Sequence, residues 1–238
     1  MPVLTCGVAL LKSQQMEVTL SILFGGLITI LTAIGVEALR RPKLRLSIED
    51  PPLDLPSPDG KGMRRNLRLV LHNDPLPFVA RWMQRAAATQ CRGEITFRHL
   101  NDGQDIFGRA MAVRWVKSPE PIASRIVGPD GKIQFYIQDF SRADTDSRID
   151  VYPSDQELLD VAVRFDGEAE CYGWNNDSYL YEWRNPDWKL RSERYLVKVV
   201  ITSSGQKCTG VFRLINDVEN RTDFRLIDVS SEDRAKVL

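Results

Sequence analysis

Histidine is scarce in this sequence, and its cysteines are widely spaced. The 238 residues include two histidines and four cysteines, and no pair of them has the spacing of a zinc site. The acidic stretch 144–150 lacks the glycine and the ligand pattern of a calcium loop. We therefore expect no metal site in this protein.

The sequence also lacks the short motifs of common enzyme classes. It contains no Gly-x-Ser-x-Gly turn, no phosphate-binding glycine loop and no dinucleotide-binding fingerprint. Glu168 and Glu170 would share one face of a strand, where paired carboxylates could act as acid and base, but solvent-facing alternation explains them better. We expect no enzymatic activity, no catalytic residue and no cofactor.

A strong charge of either sign is also missing. The 32 basic residues balance the 32 acidic ones, so the formal net charge is zero. Nucleic-acid-binding domains present a basic patch or stripe. Nucleic acid is therefore not an expected partner.

What the chain does have is one long apolar run near its N-terminus. Residues 18–36 carry no charge, and Arg40, Arg41, Lys43 and Arg45 follow them. At about 1.5 Å per residue this run extends roughly 28 Å, and residues 18–39 together cover a bilayer core of about 30 Å. The run predicts one transmembrane helix, with the lipid bilayer as a partner. A buried core helix and a cleaved signal peptide fit less well, because the remaining chain reads as strands and no basic segment opens the run.

The charges that flank the run predict its orientation. Lys12 is the basic residue before the helix, whereas four follow it closely, so the positive-inside rule places the N-terminus outside the cell membrane and the C-terminal domain in the cytoplasm. The prediction is the same if translation starts at Met16. Three cysteines in the C-terminal part, an odd number, also fit a reducing compartment.

Small residues recur every fourth position along the predicted helix. Such a stripe lets a second helix approach closely in lipid, which would make the protein a homo-oligomer; small residues are also simply frequent in spans. The stripe consists of Ser21, Gly25, Thr29 and Ala33.

The rest of the chain alternates apolar and polar residues with a period of two, the pattern of half-buried strands. Turn residues separate these runs, as expected for antiparallel hairpins. The runs are 44–48, 67–71, 95–97, 107–115, 159–165, 195–201 and 210–214, and the turns include 101–103, 130–131, 166–167 and 203–205. We predict a mainly β fold with two packed antiparallel sheets.

The hairpin around Ser203, Ser204 and Gly205 resembles the last hairpin of immunoglobulin-like or fibronectin-like β-sandwiches, with Tyr195 to Val199 opening its first strand. The resemblance covers about 25 residues and concerns the fold alone. It implies an immunoglobulin/fibronectin-like sandwich. It assigns no binding residue, because the paired cysteines and the strand tryptophan of antibody domains are missing.

These patterns divide the chain into five segments. A short N-terminal segment (1–17) precedes the transmembrane helix (18–39), and a basic flank (40–42) leads into the β-sandwich domain (43–229). A loop rich in proline and glycine is expected at 51–62, and a charged tail at 230–238. Residues 77–90 are predicted to form either a short helix or an irregular connection.

An aromatic patch is the strongest functional feature of the sequence. Tyrosine and tryptophan are effective anchors for a partner, so we predict a membrane-anchored module that binds or scaffolds another protein. The alternative is a surface-displayed module that binds glycan, and the same rings could instead lie in the core. The predicted partner-binding residues are Trp174, Tyr179, Tyr181, Trp183 and Trp188.

Overall fold

A computed structural model describes residues 4–58, 60–80, 82–120, 122–129, 133–139 and 148–237; of these, the side chains of 4–19, 122–127 and 133–139 are not described. The chain forms two compact units. One contains the helix α1 (Leu4–Arg40) and the segment Leu76–Arg85. The other contains the β strands and a short C-terminal helix α2 (Ser231–Ala235).

The helix α1 is continuous across the predicted N-terminal segment and the predicted span. Its part Leu20–Arg40 is long and apolar enough to cross a membrane. The large apolar side chains there are 46–69% exposed, so the described part of the chain does not cover them. A buried core helix, the first alternative considered from sequence, does not fit this exposure.

The second unit is built from antiparallel strands, as the alternation predicts. The first sheet has the strand order β1 (Leu44–Ile48), β3 (Met63–Asn73), β10 (Gln156–Phe165), β11 (Cys171–Gly173) and β12 (Lys189–Leu190), while β2 (Leu53–Pro56) pairs with β3, and β6 (Arg114–Trp115) with β10. The second sheet has the order β15 (Arg225–Asp228), β14 (Gln206–Ile215), β13 (Arg194–Ser203), β4 (Ala88–His99) and β5 (Met111–Ala112), with β9 (Ile149–Val151) on β4. The strands β7 (Ile122–Val127) and β8 (Ile133–Asp139) form a separate pair.

One main core draws on both sheets. Leu67, Leu69 and Leu71 point inward from β3 and are at most 2% exposed. They belong to the same buried cluster as Val197 and Val199 of β13. This packing confirms a mainly β fold with two antiparallel sheets after an N-terminal apolar helix.

Several local expectations need correction. The loop predicted at 51–62 contains the short strand β2, which pairs with β3. The run 107–115 forms two short strands, β5 and β6, rather than one. The β13–β14 hairpin turns between the paired residues Ser203 and Gln206, as expected. It is not the last hairpin of the domain, because the later strand β15 pairs with β14. The tail contains α2, and the described part of 77–90 includes the 3-10 turn Phe78–Ala80 and the start of β4. The turn expected at 130–131 lies outside the described residues.

A bulge in β10 changes which side chains face the core. The register between β10 and β3 shifts between Asp160 and Ala162. A bulge adds one residue, and therefore the side chains beyond it point to the opposite face of the sheet. Leu159 lies in the main core, whereas Val163 and Phe165 do not.

Candidate functional site

A second apolar cluster lies on the outer face of the first sheet. Beyond the β10 bulge, Val163 and Phe165 meet Tyr172 of the adjacent β11 and Trp174, which directly follows β11; all four are at most 7% exposed. Because alternate residues of a strand face opposite sides, Cys171 of β11 points instead into the main core. Because this outer face is apolar, another segment of the chain has to shield it from water.

The segment 175–184 supplies that cover, and we call it the aromatic cap. Its start is fixed by Asn175, whose backbone N–H donates to Ser178 Oγ at 3.1 Å, and by the Ser178 hydroxyl, which reaches Asn175 Oδ1 at 3.2 Å. A 3-10 helix (Asn176–Tyr181) follows. Glu182 and Trp183 then adopt positive φ angles of 50° and 68°, and the Trp183 N–H donates to Ser178 O at 2.7 Å. This turn folds the chain back over the sheet.

The turn places two aromatic rings of the cap on the sheet. The centroids of Tyr179 and Trp183 lie 5.7 and 5.5 Å from that of Trp174, and 6.0 Å from each other. Aromatic pairs at such separations attract beyond their buried area. The three rings therefore hold the cap in one conformation.

Arginine side chains stack on several aromatic rings of this site. The guanidinium carbon of Arg64 lies 3.8 Å from the ring centroid of Trp183, and that of Arg184 lies 3.8 Å from the centroid of Phe165. Arg114 lies 5.3 Å from the Tyr179 ring. These are cation–π distances, so the cap is fixed by charge as well as by apolar contact.

Four side-chain nitrogens at this site have no acceptor among the described residues. Arg64 Nε and Nη1, Trp174 Nε1 and Trp183 Nε1 are buried without a hydrogen-bond partner within the described part of the chain. Burial lowers the pKa of the Arg64 guanidinium, because removal from water disfavours the charged form. The site is therefore rich in donors.

A buried carboxylate balances part of the arginine charge. Asp160 is 2% exposed, and it accepts from Arg68 Nε at 2.8 Å and from Arg114 Nη1 at 3.0 Å. Arg114 also donates to Ser118 O at 3.0 Å. Through Arg114, which lies against the Tyr179 ring, this ion-pair triad supports the aromatic cap; we call it the base of the cap.

Tyr172 and Tyr179 stay neutral at physiological pH. Burial, with Glu168 and Glu170 nearby, raises the pKa of Tyr172 to about 12. Burial also raises the pKa of Tyr179 above its usual range, and Glu120 adds to this effect. Neutral phenols donate hydrogen bonds, so these groups suit recognition better than proton transfer.

The structure divides the predicted partner-binding residues into three groups. Trp174 and Trp188 are 3% and 5% exposed, and Trp188 joins the main core with Phe107 at 5.0 Å. Tyr179 and Trp183 are half-buried in the cap, whereas Tyr181 is 48% exposed. Beside it Leu180 is 56% exposed; the prediction selected aromatic side chains alone and therefore passed over this leucine between Tyr179 and Tyr181.

The two carboxylates considered for acid–base work are held in ion pairs. Glu168 Oε1 accepts from Arg184 Nε at 2.7 Å, and Glu170 Oε1 lies 2.8 Å from Lys189 Nζ.

Among the described residues no group of His, Cys, Asp and Glu could hold a metal ion; most of the acidic stretch 144–150 lies outside them. Burial raises the pKa of the Cys91 thiol to about 11, which disfavours a reactive thiolate.

Comparison with protein-family models, curated proteins and solved structures gives no match. The geometry itself therefore has to support any functional conclusion.

A cavity of about 440 Å³ lies beside the first sheet, lined in part by Glu49, Arg65, Arg68, Arg225 and Asp228. Its lining mixes both signs of charge, so it selects for neither an anion nor a cation. Burial raises the pKa of Glu49, and Glu49 Oε2 has no hydrogen-bond partner in the described chain.

The small-residue stripe lies along the exposed part of α1. Ser21, Gly25, Thr29 and Ala33 are all exposed, and a side chain added at Gly25 would meet nothing within 4 Å. The Thr29 hydroxyl donates to Gly25 O within the helix at 2.8 Å, which satisfies it without a partner helix. Self-association through this stripe stays a prediction.

Proposed function

We propose that this protein is a single-pass membrane protein whose β-rich domain binds another protein through the exposed tip of the aromatic cap. The observation that carries this proposal is a rigid turn that exposes Leu180 and Tyr181 (56% and 48%). An apolar group held in place before binding loses little conformational entropy when a partner covers it. Aromatic anchors in such positions often dominate the binding energy.

The fold type is part of the proposal. The main core shared by both sheets supports a β-sandwich, and the β13–β14 hairpin supports the immunoglobulin/fibronectin-like type. The added β15 and the two-residue strands would be departures from the seven-strand pattern of that superfamily.

The span and its orientation are proposed on length and charge. Leu20–Arg40 has the required length and composition, and the excess of basic residues after it supports a cytoplasmic C-terminal domain. Fusion of reporters active on one side of the membrane to the C-terminus tests this orientation. Signal from the cytoplasmic reporter supports it, and signal from the external reporter refutes it.

The geometry favours a protein partner over a glycan. Sugar rings bind by stacking on the exposed faces of aromatic side chains, but Arg64 lies on the Trp183 ring. Trp174 and Trp188 are buried. Tyr181 is the one exposed ring among the five predicted residues, so the cap offers no extended aromatic surface on which a sugar could stack.

A site-specific photo-crosslinking experiment tests the proposed contact. A photoreactive phenylalanine replaces Tyr181 in the full chain, and the matched control carries it at Tyr152, which is 58% exposed. In membranes of cells that naturally express the protein, we expect a discrete adduct from position 181 that Leu180→Asp weakens. Identical adducts from both positions, or none from 181 in a protein of unchanged thermal stability, would contradict the proposal.

A further inference from the structure

The segment Leu76–Arg85 exposes three large apolar side chains. Phe78, Val79 and Trp82 are 81%, 83% and 80% exposed, more than any other large apolar side chain in the described residues. An apolar patch of this kind usually marks a site of interaction.

The three side chains are held on an ordered turn rather than on a loose tail. Ala80 N–H donates to Pro77 O at 2.8 Å, and Met83 N–H donates to Ala80 O at 3.0 Å. Phe78–Ala80 form a 3-10 helix, and Ala80 is buried. The exposed side chains are therefore presented together.

The same segment is tied to the end of α1. Arg85 Nη1 donates to Arg41 O at 2.5 Å, one residue after the helix ends at Arg40. The last carbonyls of a helix lack partners within it, so a basic side chain stabilises this end. The turn and the helix belong to one compact unit.

This tie sets the level of the turn relative to a bilayer. The 21 residues of Leu20–Arg40 extend roughly 31 Å at 1.5 Å per residue, which matches a hydrocarbon core of about 30 Å. Arg41 and Arg85 would then lie at the headgroups. Trp82 is three residues before Arg85, and an extended chain reaches at most about 11 Å over that length.

The chemistry of the segment suits this level. Tryptophan is enriched at membrane interfaces, where its apolar ring and its N–H both find partners. Arg40, Arg41 and Arg85 carry the charge that attracts anionic headgroups. Basic and apolar groups occur together here, as in segments that lie in the interface.

We propose that Phe78, Val79 and Trp82 insert into the headgroup region of the bilayer that α1 spans. This inference rests on the proposed function, because it requires α1 to cross the membrane. The protein would then contact lipid at two places, through its helix and through this turn.

Tryptophan fluorescence can report on this contact. All five tryptophans lie outside the span; Trp115, Trp174 and Trp188 are 1–5% exposed, and Trp183 is half-buried. Among the five tryptophans, Trp82 is therefore the exposed one. The full chain is placed in nanodiscs of zwitterionic and anionic lipid, some of it brominated near the headgroup to quench nearby indoles.

We expect brominated lipid to quench the wild-type emission, and Trp82→Phe to remove the quenched component. Tyr152→Phe changes an aromatic side chain of the β-rich domain that is 58% exposed; it serves as the control and should leave the quenching unchanged. The variant Phe78→Ser/Val79→Ser keeps Trp82 and should reduce the quenching, because it weakens insertion of the turn.

Three results would overturn the inference. Equal quenching of wild type and Trp82→Phe would mean that another tryptophan meets lipid. If Trp82 is not quenched in a protein that co-elutes with the disc, the lipid contact is refuted but the span is not. If the Trp82 emission shifts to the blue only when two copies share a disc, the turn contacts a second copy instead of lipid. Failure to co-elute with the disc would refute the span, and this inference with it.

Discussion

Asp160→Asn is the substitution that tests the base of the aromatic cap most directly. The carboxylate is 2% exposed and is shared by Arg68 and Arg114, at 2.8 and 3.0 Å. Asparagine keeps the shape of the side chain, but its amide carries no charge and presents N–H donors on one side. At least one guanidinium then faces a donor, and both lose their counter-charge.

The expected magnitude follows from the burial of the three groups. Removal of one partner from a buried ion pair costs about 3–5 kcal/mol, because the other charge stays uncompensated. The side chain of Arg114 is 5% exposed and that of Arg68 is 13% exposed, so partial hydration and the bond to Ser118 O favour the lower end. A loss of about 3 kcal/mol lowers the melting temperature of a domain of this size by roughly 6–12 °C.

Thermal unfolding of the full chain in detergent, followed by circular dichroism, measures this effect. Asp155→Asn makes the same change of charge at an exposed turn residue and should stay within about 0.5 kcal/mol of wild type. If Asp160→Asn loses no more stability than Asp155→Asn, the triad does not support the sheet as argued. Because Arg114 lies against Tyr179, the near-ultraviolet spectrum should change as well.

Four further substitutions, two of them also combined, probe other parts of the domain. Glu49→Gln should raise the free energy of unfolding at pH 7, by less than about 1 kcal/mol because the group is only partly buried and water screens it. Burial raises the pKa of Glu49, so its ionisation reduces stability as the pH rises above about 4.3, and a gain that persisted at pH 3 would contradict this. Gly93→Ala would place a Cβ 2.6 Å from Val113 Cγ2 and should cost about 1–3 kcal/mol in urea unfolding; an unchanged midpoint would show that the neighbours move freely. Arg64→Ala and Trp183→Phe, measured singly and together, should give a coupling energy of about 1 kcal/mol, whereas additive effects would exclude their stacking.

The strands of the domain were largely predictable, since alternation is a local property. The runs at Leu67 to Leu71 and Tyr195 to Ile201 form the long strands β3 and β13, because each buries one face along its whole length. Strands of two or three residues, such as β5 and β12, are too short to show a period. Their positions depend on pairing with distant strands.

The candidate site was predictable in composition but not in arrangement. From sequence, Leu159, Val161, Val163 and Phe165 share one face of a strand. The bulge between Asp160 and Ala162 divides them between two faces, and nothing local distinguishes a bulged strand from a regular one. Arg64, which stacks on Trp183, lies more than 100 positions before it in the chain.

The bulge also explains why so many aromatic residues follow β10. Because Val163 and Phe165 face outward, the outer surface of the sheet is apolar there, and Trp174, Tyr179 and Trp183 cover it. Most of the aromatic density is therefore needed for folding. Substitution of Trp183 would disturb the fold before it tested binding, whereas Leu180 and Tyr181 stay exposed and can be changed without opening the cap. A loss of partner contact at those two positions, with the melting temperature unchanged, would thus separate recognition from stability.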